Sequence, residues 1–468
     1  MTPLLYKLII DARVKKMNSN YSFIVSNEKK LRRKEIIMSK KSSTKDIFVF
    51  GFALFAMFFG AGNLIFPPYL GIIAGPEWFT AFAGFTFSDA GLALLAVIAI
   101  ALCQGKIMEL FGRIGRIPAI ILSFVDIMCV GPLIIIPRTG ATTYEMGITP
   151  LLGNNIPIVV VVVIFFALTF FLTVRPSKVI DIVGQVLTPF LIIALSVIII
   201  KGIISPLGQP ISEPMIDGIF KRGIADGYQT MDCFVSIAVG SVLMLTLMNK
   251  GYTEPKEQVK VLVKAGLIAC VGLGLIYGGL TYLGATVSSM YGPDIQQSKV
   301  IVNITEALLG NVGKSILAVA VSLACLTTSI GLTSATAEYL TMMSKEKISY
   351  SKFVLFICVF AAVVATMGVT GLVKFANPIL SIVYPPSIVL ILLAFVKDKI
   401  HSDLVYKLST GAAFIVSAMT VLSAKVPAFN FVNSLPGGDL GFNWVLPALV
   451  CGILGLLISG NKKKEKAI

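Results

Sequence analysis

Apolar residues run along this chain in stretches of membrane length, not in the alternating or one-faced patterns of a soluble core. A helix needs about 20 such residues to cross a bilayer. Twelve runs meet or approach that length: 47–74, 79–103, 118–146, 156–174, 178–201, 218–249, 261–288, 314–343, 352–369, 371–396, 404–424 and 443–460. The pattern predicts an all-α polytopic membrane protein of twelve transmembrane helices. No linker is long enough to separate soluble domains. The expected organisation is therefore a basic tail over 1–46, one transmembrane domain over 47–460 and a second basic tail over 461–468. The longest connection, about 288–313, has room for a short surface helix.

The first run is broken where a helix should be continuous. Phe58-Phe59-Gly60-Ala61-Gly62-Asn63-Leu64-Ile65-Phe66-Pro67-Pro68 sits at its middle. Irregular backbone at bilayer depth is tolerated only where protein buries it or it lines a cavity. In transporters such a break marks the substrate and ion site. Gly60 and Gly62 permit unusual dihedrals and close approach of a ligand. Asn63 is a favoured N-cap, which starts the second half-helix near Leu64. That helix's free N–H groups and positive dipole end suit a carboxylate, which nominates Gly60, Ala61, Gly62 and Asn63. The carbonyls ending the upstream half suit a cation. The plainer alternative is that small residues let two membrane helices pack closely.

The sixth run is comparable. It is longer than one straight crossing needs and carries Gly227-Tyr228-Gln229-Thr230-Met231-Asp232, then Ser236 to Gly240. Interruptions five spans apart predict two inverted five-helix repeats with broken helices 1 and 6, plus two extra helices. The substrate then meets either Tyr228, Thr230, Met231 and Asp232 or the stretch beginning at Ser236. In the eighth run, Ala324-Cys325-Leu326-Thr327-Thr328 offers hard oxygen ligands, which suit an alkali cation better than a transition metal. Such hydroxyls also bond their own helix carbonyls.

Charge at membrane depth is costly and is usually functional or paired. Asp89, Asp126, Arg138, Asp226, Asp232, Glu338 and Lys374 are the candidates. Arg138, after Gly131-Pro132 and Pro137, reads as a gate near the outer mouth or half of a structural ion pair. Asp89 and Asp126 read as structural partners or proton carriers. Asp232 is the strongest functional carboxylate because it lies in the second interruption.

Composition agrees with a membrane protein. The chain has 468 residues, 56% hydrophobic and 13% charged, with net charge +15. Its basic residues sit in short alternate loops and the tails, without the aromatic interleaving of a nucleic-acid surface, so nucleic-acid binding is excluded. Glu77, Glu213, Asp217, Asp294 and Asp439 mark the opposite loops. That asymmetry places both termini in the cytoplasm. The seven cysteines lie in or near apolar runs without CxxC spacing and read as buried hydrophobes. One loop histidine, His401, builds no catalytic or metal constellation. No enzyme, cofactor or obligate protein partner is expected. Met38-Ser39-Lys40-Lys41 reads as a natural start, the alternative being a basic tail from Met1.

Taken together, Phe59 to Pro68, Gly131-Pro132 through Thr139, Gly227-Tyr228 through Asp232, and Ala324 to Thr328 with Ala337-Glu338-Tyr339 resemble the bacterial branched-chain amino acid:cation symporter family. The resemblance runs from about Met38 to the C-terminus. It implies a bacterial cell-membrane protein of leucine-transporter-type fold. Its implied activity is import of leucine, isoleucine and valine with Na⁺, or H⁺ in some members. It also implies sodium ligands at the Ala56, Phe59 and Ala324 carbonyls and the Thr327 and Thr328 hydroxyls. The segment after Asn63 is one residue shorter than in the leucine-transporter type. An uncoupled channel is the alternative from another class.

Overall fold

The computed structural model describes residues 43–174 and 178–465. Residues 1–42 of the first tail, Met38 included, lie outside the described residues. Among them every regular element is helical.

The first broken run forms α1 (Thr44–Phe58) and α2 (Ala61–Ala74). A bent helix follows as α3 (Trp78–Thr86), a π-helical turn (Phe87–Gly91) and α4 (Leu92–Leu102). Short α5 (Ile107–Phe111) leads to α6 (Arg116–Met128), a turn at Cys129–Leu133 and α7 (Ile135–Thr142), with α8 (Thr149–Leu152) beyond. Next come α9 (Ile158–Val174) and α10 (Lys178–Ile204). The second broken run forms α11 (Ile219–Tyr228) and α12 (Asp232–Asn249). The remaining helices are α13 (Pro255–Thr286), α14 (Gln297–Met343), α15 (Tyr350–Ala365), α16 (Gly368–Ala394), α17 (Asp403–Ser423) and α18 (Val445–Glu465). The helix expected over 288–313 is the start of α14, set off by a kink at Gly310 (φ 67°, ψ −163°), but it is largely packed in, with Ser298, Val300, Ile301, Ile304 and Thr305 buried.

Among the described residues, six helical stretches are long and apolar enough to cross a membrane, from Ala61–Leu102 to Asp403–Ser423, and four shorter apolar helices accompany them. Their outward faces are lipid-like: Phe171 is 67% exposed and Leu275 72%. An exposed apolar surface of this kind belongs in a bilayer. Lys250 lies 3.8 Å from Asp46 at the start of α1, Arg113 pairs with Asp403 at 2.8 Å and Lys397 with Glu109 at 3.0 Å.

Two close crossings hold the broken helices. α2 meets α13 where a Cβ on Gly71 would lie 1.9 Å from the Thr281 carbonyl oxygen and one on Gly284 1.9 Å from that of Pro68. α11 meets α3 where a Cβ on Gly223 would lie 2.4 Å from the Ala81 oxygen and one on Gly84 2.5 Å from that of Phe220. Glycine at these positions lets backbones touch, as membrane helix pairs require.

Candidate functional site

α1 ends because Phe59 leaves helical geometry (φ −76°, ψ 90°) and Gly60 is extended. α2 begins at Ala61, three residues before the sequence-based start. Asn63 is not the cap residue; it is third in the helix and reaches back, its Oδ1 accepting from the Gly60 N–H at 3.1 Å. Gly60 has no side chain to cap with, so Asn63 supplies the bond from inside the helix. The amides of Ala61, Gly62 and Asn63 are first-turn donors without intrahelical acceptors.

The second break spans Gln229 to Met231. Met231 sits at φ 64°, a left-handed conformation that L side chains adopt at a cost, and it is fully buried. Such strain persists only where surroundings impose it. Arg138 supplies part of that constraint: its Nη1 donates to the Gln229 carbonyl at 2.6 Å and its Nη2 to that of Thr230 at 3.5 Å. Arg138, expected as a gate or half of an ion pair, thus clamps main-chain oxygens of the second break. Gln229 Nε2 donates to Asn377 Oδ1 at 3.3 Å, tying the break to α16.

The two breaks meet at Asn63. Its Nδ2 lies 3.0 Å from Asp232 Oδ2 and 3.4 Å from Asp89 Oδ2, and also donates to the Tyr277 hydroxyl. A small cavity lies beside this junction. Its walls are Gly60, Ala61, Gly62, Asn63, Arg138, Thr230, Asp232 and Thr328, with Met57, Phe58, Ile135, Val235 and Leu332 at the apolar side. It holds the partial charges a zwitterion needs: first-turn amides at one wall, a carboxylate at another. Sequence reasoning found the polar wall but missed the five apolar residues. They resemble every other apolar position in their helices, so only the fold distinguishes them.

Three nominated residues stand elsewhere. Tyr228 stacks on Tyr384 with centroids 4.2 Å apart, Met231 is buried in the turn, and Ser236 lies inside α12, where its hydroxyl donates to the Asp232 and Ala93 carbonyls. None is among the walls of this cavity. Of the two registers, the break takes Gln229–Met231, because α12 is regular from Asp232 onward and Ser236 to Gly240 belong to it. Glu338 and Lys374 are exposed, not buried at depth. Asp226 is buried and pairs with Arg222 at 3.0 Å.

A second cavity lies on the other side of the first break. Ala56 and Phe59 from α1 and its end, and Ala324, Thr327 and Thr328 from α14, face it together with Phe55 and Leu191. Stacking of Phe59 on Phe55 (5.4 Å, 6°) fixes that end of α1. Thr327 donates its hydroxyl hydrogen to the Ala324 carbonyl at 2.9 Å, so a lone pair stays available. Leu191 has no polar signal that could have nominated it. Thr328 borders both cavities.

A buried double break between packed helices, with apolar faces outward, defines a multi-pass helical membrane protein. Solved structures share its fold, two of them of Mhp1. One is titled an inward-facing conformation of Mhp1 (TM-score 0.55, 16% identity, 89% of this chain and 91% of that one). The other is Mhp1 of the nucleobase-cation-symport-1 family, closed with bromovinylhydantoin bound (TM-score 0.58, 15% identity, 89% and 93%). Residues 43–462 match the family described as branched-chain amino acid transport protein. The chain is 35% identical to the branched-chain amino acid permease BraB of Bacillus subtilis (90% of this chain, 97% of the relative). It is 32% identical to the permease BrnQ of Escherichia coli K12 (90% and 97%). The protein belongs to the branched-chain amino acid transport protein family, and it is a bacterial transporter, not an enzyme.

Proposed function

We propose that this protein is a secondary symporter that imports leucine, isoleucine and valine with Na⁺ by alternating access. The observation carrying the reading is the pair of cavities on opposite sides of the first break, joined by Thr328. The substrate carboxylate sits on the Ala61, Gly62 and Asn63 amides, and its ammonium faces Asp232. Its aliphatic group packs on Phe58, Ile135, Val235 and Leu332. Sodium is cargo at the Ala56, Phe59 and Ala324 carbonyls and the Thr327 and Thr328 hydroxyls, an all-oxygen set suited to an alkali ion. Each ion moving down 100 mV contributes about 2.3 kcal/mol to accumulation.

The architecture proposed is twelve spans over 47–460, two inverted five-helix repeats and two further helices, with both termini cytoplasmic beside the basic loops. Supporting it, exchanging helices 1 and 2 with 6 and 7 maps the Gly71–Gly284 crossing onto the Gly223–Gly84 crossing. An uncoupled channel needs a continuous polar lining, whereas this cavity is small and walled by buried side chains.

Labelled-leucine counterflow in proteoliposomes, with and without sodium, tests the reading. Thr327→Val and Thr328→Val should each raise the sodium needed for half-maximal uptake by roughly tenfold, the scale of one ion contact at about 1–2 kcal/mol. Unchanged sodium dependence in both single variants and the double variant removes these hydroxyls from the site.

Selectivity follows from the apolar wall. Leucine, isoleucine and valine should compete within a modest range, since one methylene is worth about 1–3 kcal/mol. Lysine and glutamate should fail because each buries an unpaired charge. Inhibition of leucine uptake by either as strongly as by valine overturns the assignment of that wall.

A further inference from the structure

The first residues of α6 and α17 lie at one end of the helix bundle. Arg113 holds that end together, its Nε donating to Asp403 at 2.8 Å and its Nη1 to the Ile400 carbonyl at 2.7 Å. A groove of about 380 Å³ lies between α6, α16 and α17, away from both cavities of the first break. Pro118, Ile121 and Leu122 from α6 and Val383 and Pro386 from α16 make its walls apolar. Ile121 and Phe414 at its edges are exposed, so it opens where the protein meets lipid. Beside it, Ser387 Oγ donates to Asp126 Oδ2 at 3.5 Å and joins α16 to α6.

The third wall, α17, contributes Lys407, Thr410, Gly411 and Phe414. Their spacing puts all four on one helix face, over about 10 Å of helix. Lys407 is exposed, and its ammonium has no partner among the described residues, because Arg113 takes Asp403, the carboxylate one turn before it. Thr410 is 5% exposed, and its Oγ1 has no hydrogen-bond partner either. Helical hydroxyls commonly bond back to their own turn, as Thr420 of the same helix does to the Val416 carbonyl at 2.8 Å. A buried hydroxyl left unpaired is costly. Gly411 is unfavourable in a helix interior, and no close backbone approach requires it: a Cβ there would meet nothing within 4 Å. Its missing side chain keeps the groove open.

We propose that this groove binds one anionic phospholipid, with its phosphate on Lys407, an ester carbonyl accepting from Thr410 and an acyl chain lying over Gly411 and Phe414 against α6 and α16. Cation, hydroxyl donor and apolar channel follow one another along α17 in the order of phosphate, ester and chain along a lipid. Basic pockets between transmembrane helices bind lipid headgroups in this way, and a lysine near a helix end extends its ammonium to headgroup depth. A phosphate without chains would leave the apolar walls unfilled. The inference needs only that the chain spans a membrane and does not depend on the substrate or the coupling ion.

Native mass spectrometry of the purified full chain in detergent tests it, with equal amounts of a phosphatidylglycerol and a phosphatidylcholine of the same acyl chains. Phosphatidylcholine carries its own cation and has less need of Lys407. The wild type should retain phosphatidylglycerol about fivefold over phosphatidylcholine, the scale of one basic side chain at a lipid surface. Lys407→Ala should abolish that preference and Lys407→Arg should keep it. Lys425→Ala, beyond the other end of α17, should leave it unchanged. Gly411→Leu fills the open space and should reduce retention of both lipids, and Thr410→Val should reduce it in part. If Gly411→Leu is not recovered as folded protein, Lys407→Ala decides, since that side chain is exposed. No preference in the wild type, a preference that survives Lys407→Ala, an equal loss in Lys425→Ala, or retention untouched by Gly411→Leu overturns the site. Displacement by glycerol phosphate as effective as by the lipid overturns the assignment to a lipid. A dimer that Gly411→Leu dissociates seats a second copy in the groove and also overturns it.

Discussion

Replacing Arg138 by alanine is expected to reduce leucine uptake by about a hundredfold or more while the protein still inserts. Its two contacts fall on carbonyls of the second break, and hydrogen bonds from a charged group contribute about 1.5–3 kcal/mol each. Without them Met231 has less to hold its left-handed conformation, and the Gln229 and Thr230 carbonyls lie buried without donors. Asp232, in the same cavity, loses its nearest cation. Arg138→Lys should recover little, because an ammonium cannot spread over two carbonyls as a planar guanidinium does. Uptake and membrane-extracted yield, measured together, separate this from misfolding. Uptake within about twofold of the wild type in Arg138→Ala would show that the second break holds itself.

Gly62→Val is expected to abolish leucine, isoleucine and valine uptake together. A Cβ there would lie 3.2 Å from the Phe66 ring and 3.4 Å from both Arg138 Nη2 and Thr230 Cα. The two γ-carbons of valine have only the cavity to occupy. Overpacking of this kind costs about 1–3 kcal/mol, and the added volume displaces the carboxylate end that all three substrates share. Gly60 behaves differently. It has an extended backbone, and its nearest neighbour to a new Cβ is Asn63 Oδ1 at 3.7 Å. Gly60→Ala should therefore fold normally and lose less uptake than Gly62→Ala. Competition assays across the three amino acids check both statements, and selective loss of one substrate would contradict a shared carboxylate site.

The broken first helix was legible from Gly60 to Pro68, and the helical start was misread at Asn63. Local preference favours Asn as a cap residue, but here the break closes one turn earlier and the side chain bonds backward. The second break was legible only as two alternatives, because polar residues and glycines extend from Gly227 to Gly240. What separates them is the left-handed Met231, which no propensity rule would place. Arg138 was marked as costly to bury and read as a gate or half of an ion pair, and its hydrogen bonds fall on carbonyls. Main-chain oxygens have no sequence signature. Ala56, Phe59, Ala324, Thr327 and Thr328 do face one cavity, but they were nominated by family resemblance, since hydroxyls in a helix read equally well as bonds to their own turn.

By itself the amino-acid sequence determined that this is a many-span helical membrane protein with irregular backbone in two runs. Those features depend on run length, on glycine and proline, and on the cost of charge in lipid, all of which are local. Tertiary structure alone decided that the two breaks meet at Asn63, that Phe58, Ile135, Val235 and Leu332 wall one cavity, and that Asp89 and Asp232 share an amide. These are contacts between residues tens to hundreds of positions apart. They arise from which backbones can approach at Gly71, Gly284, Gly84 and Gly223, a question of packing that the order of residues along one helix does not express.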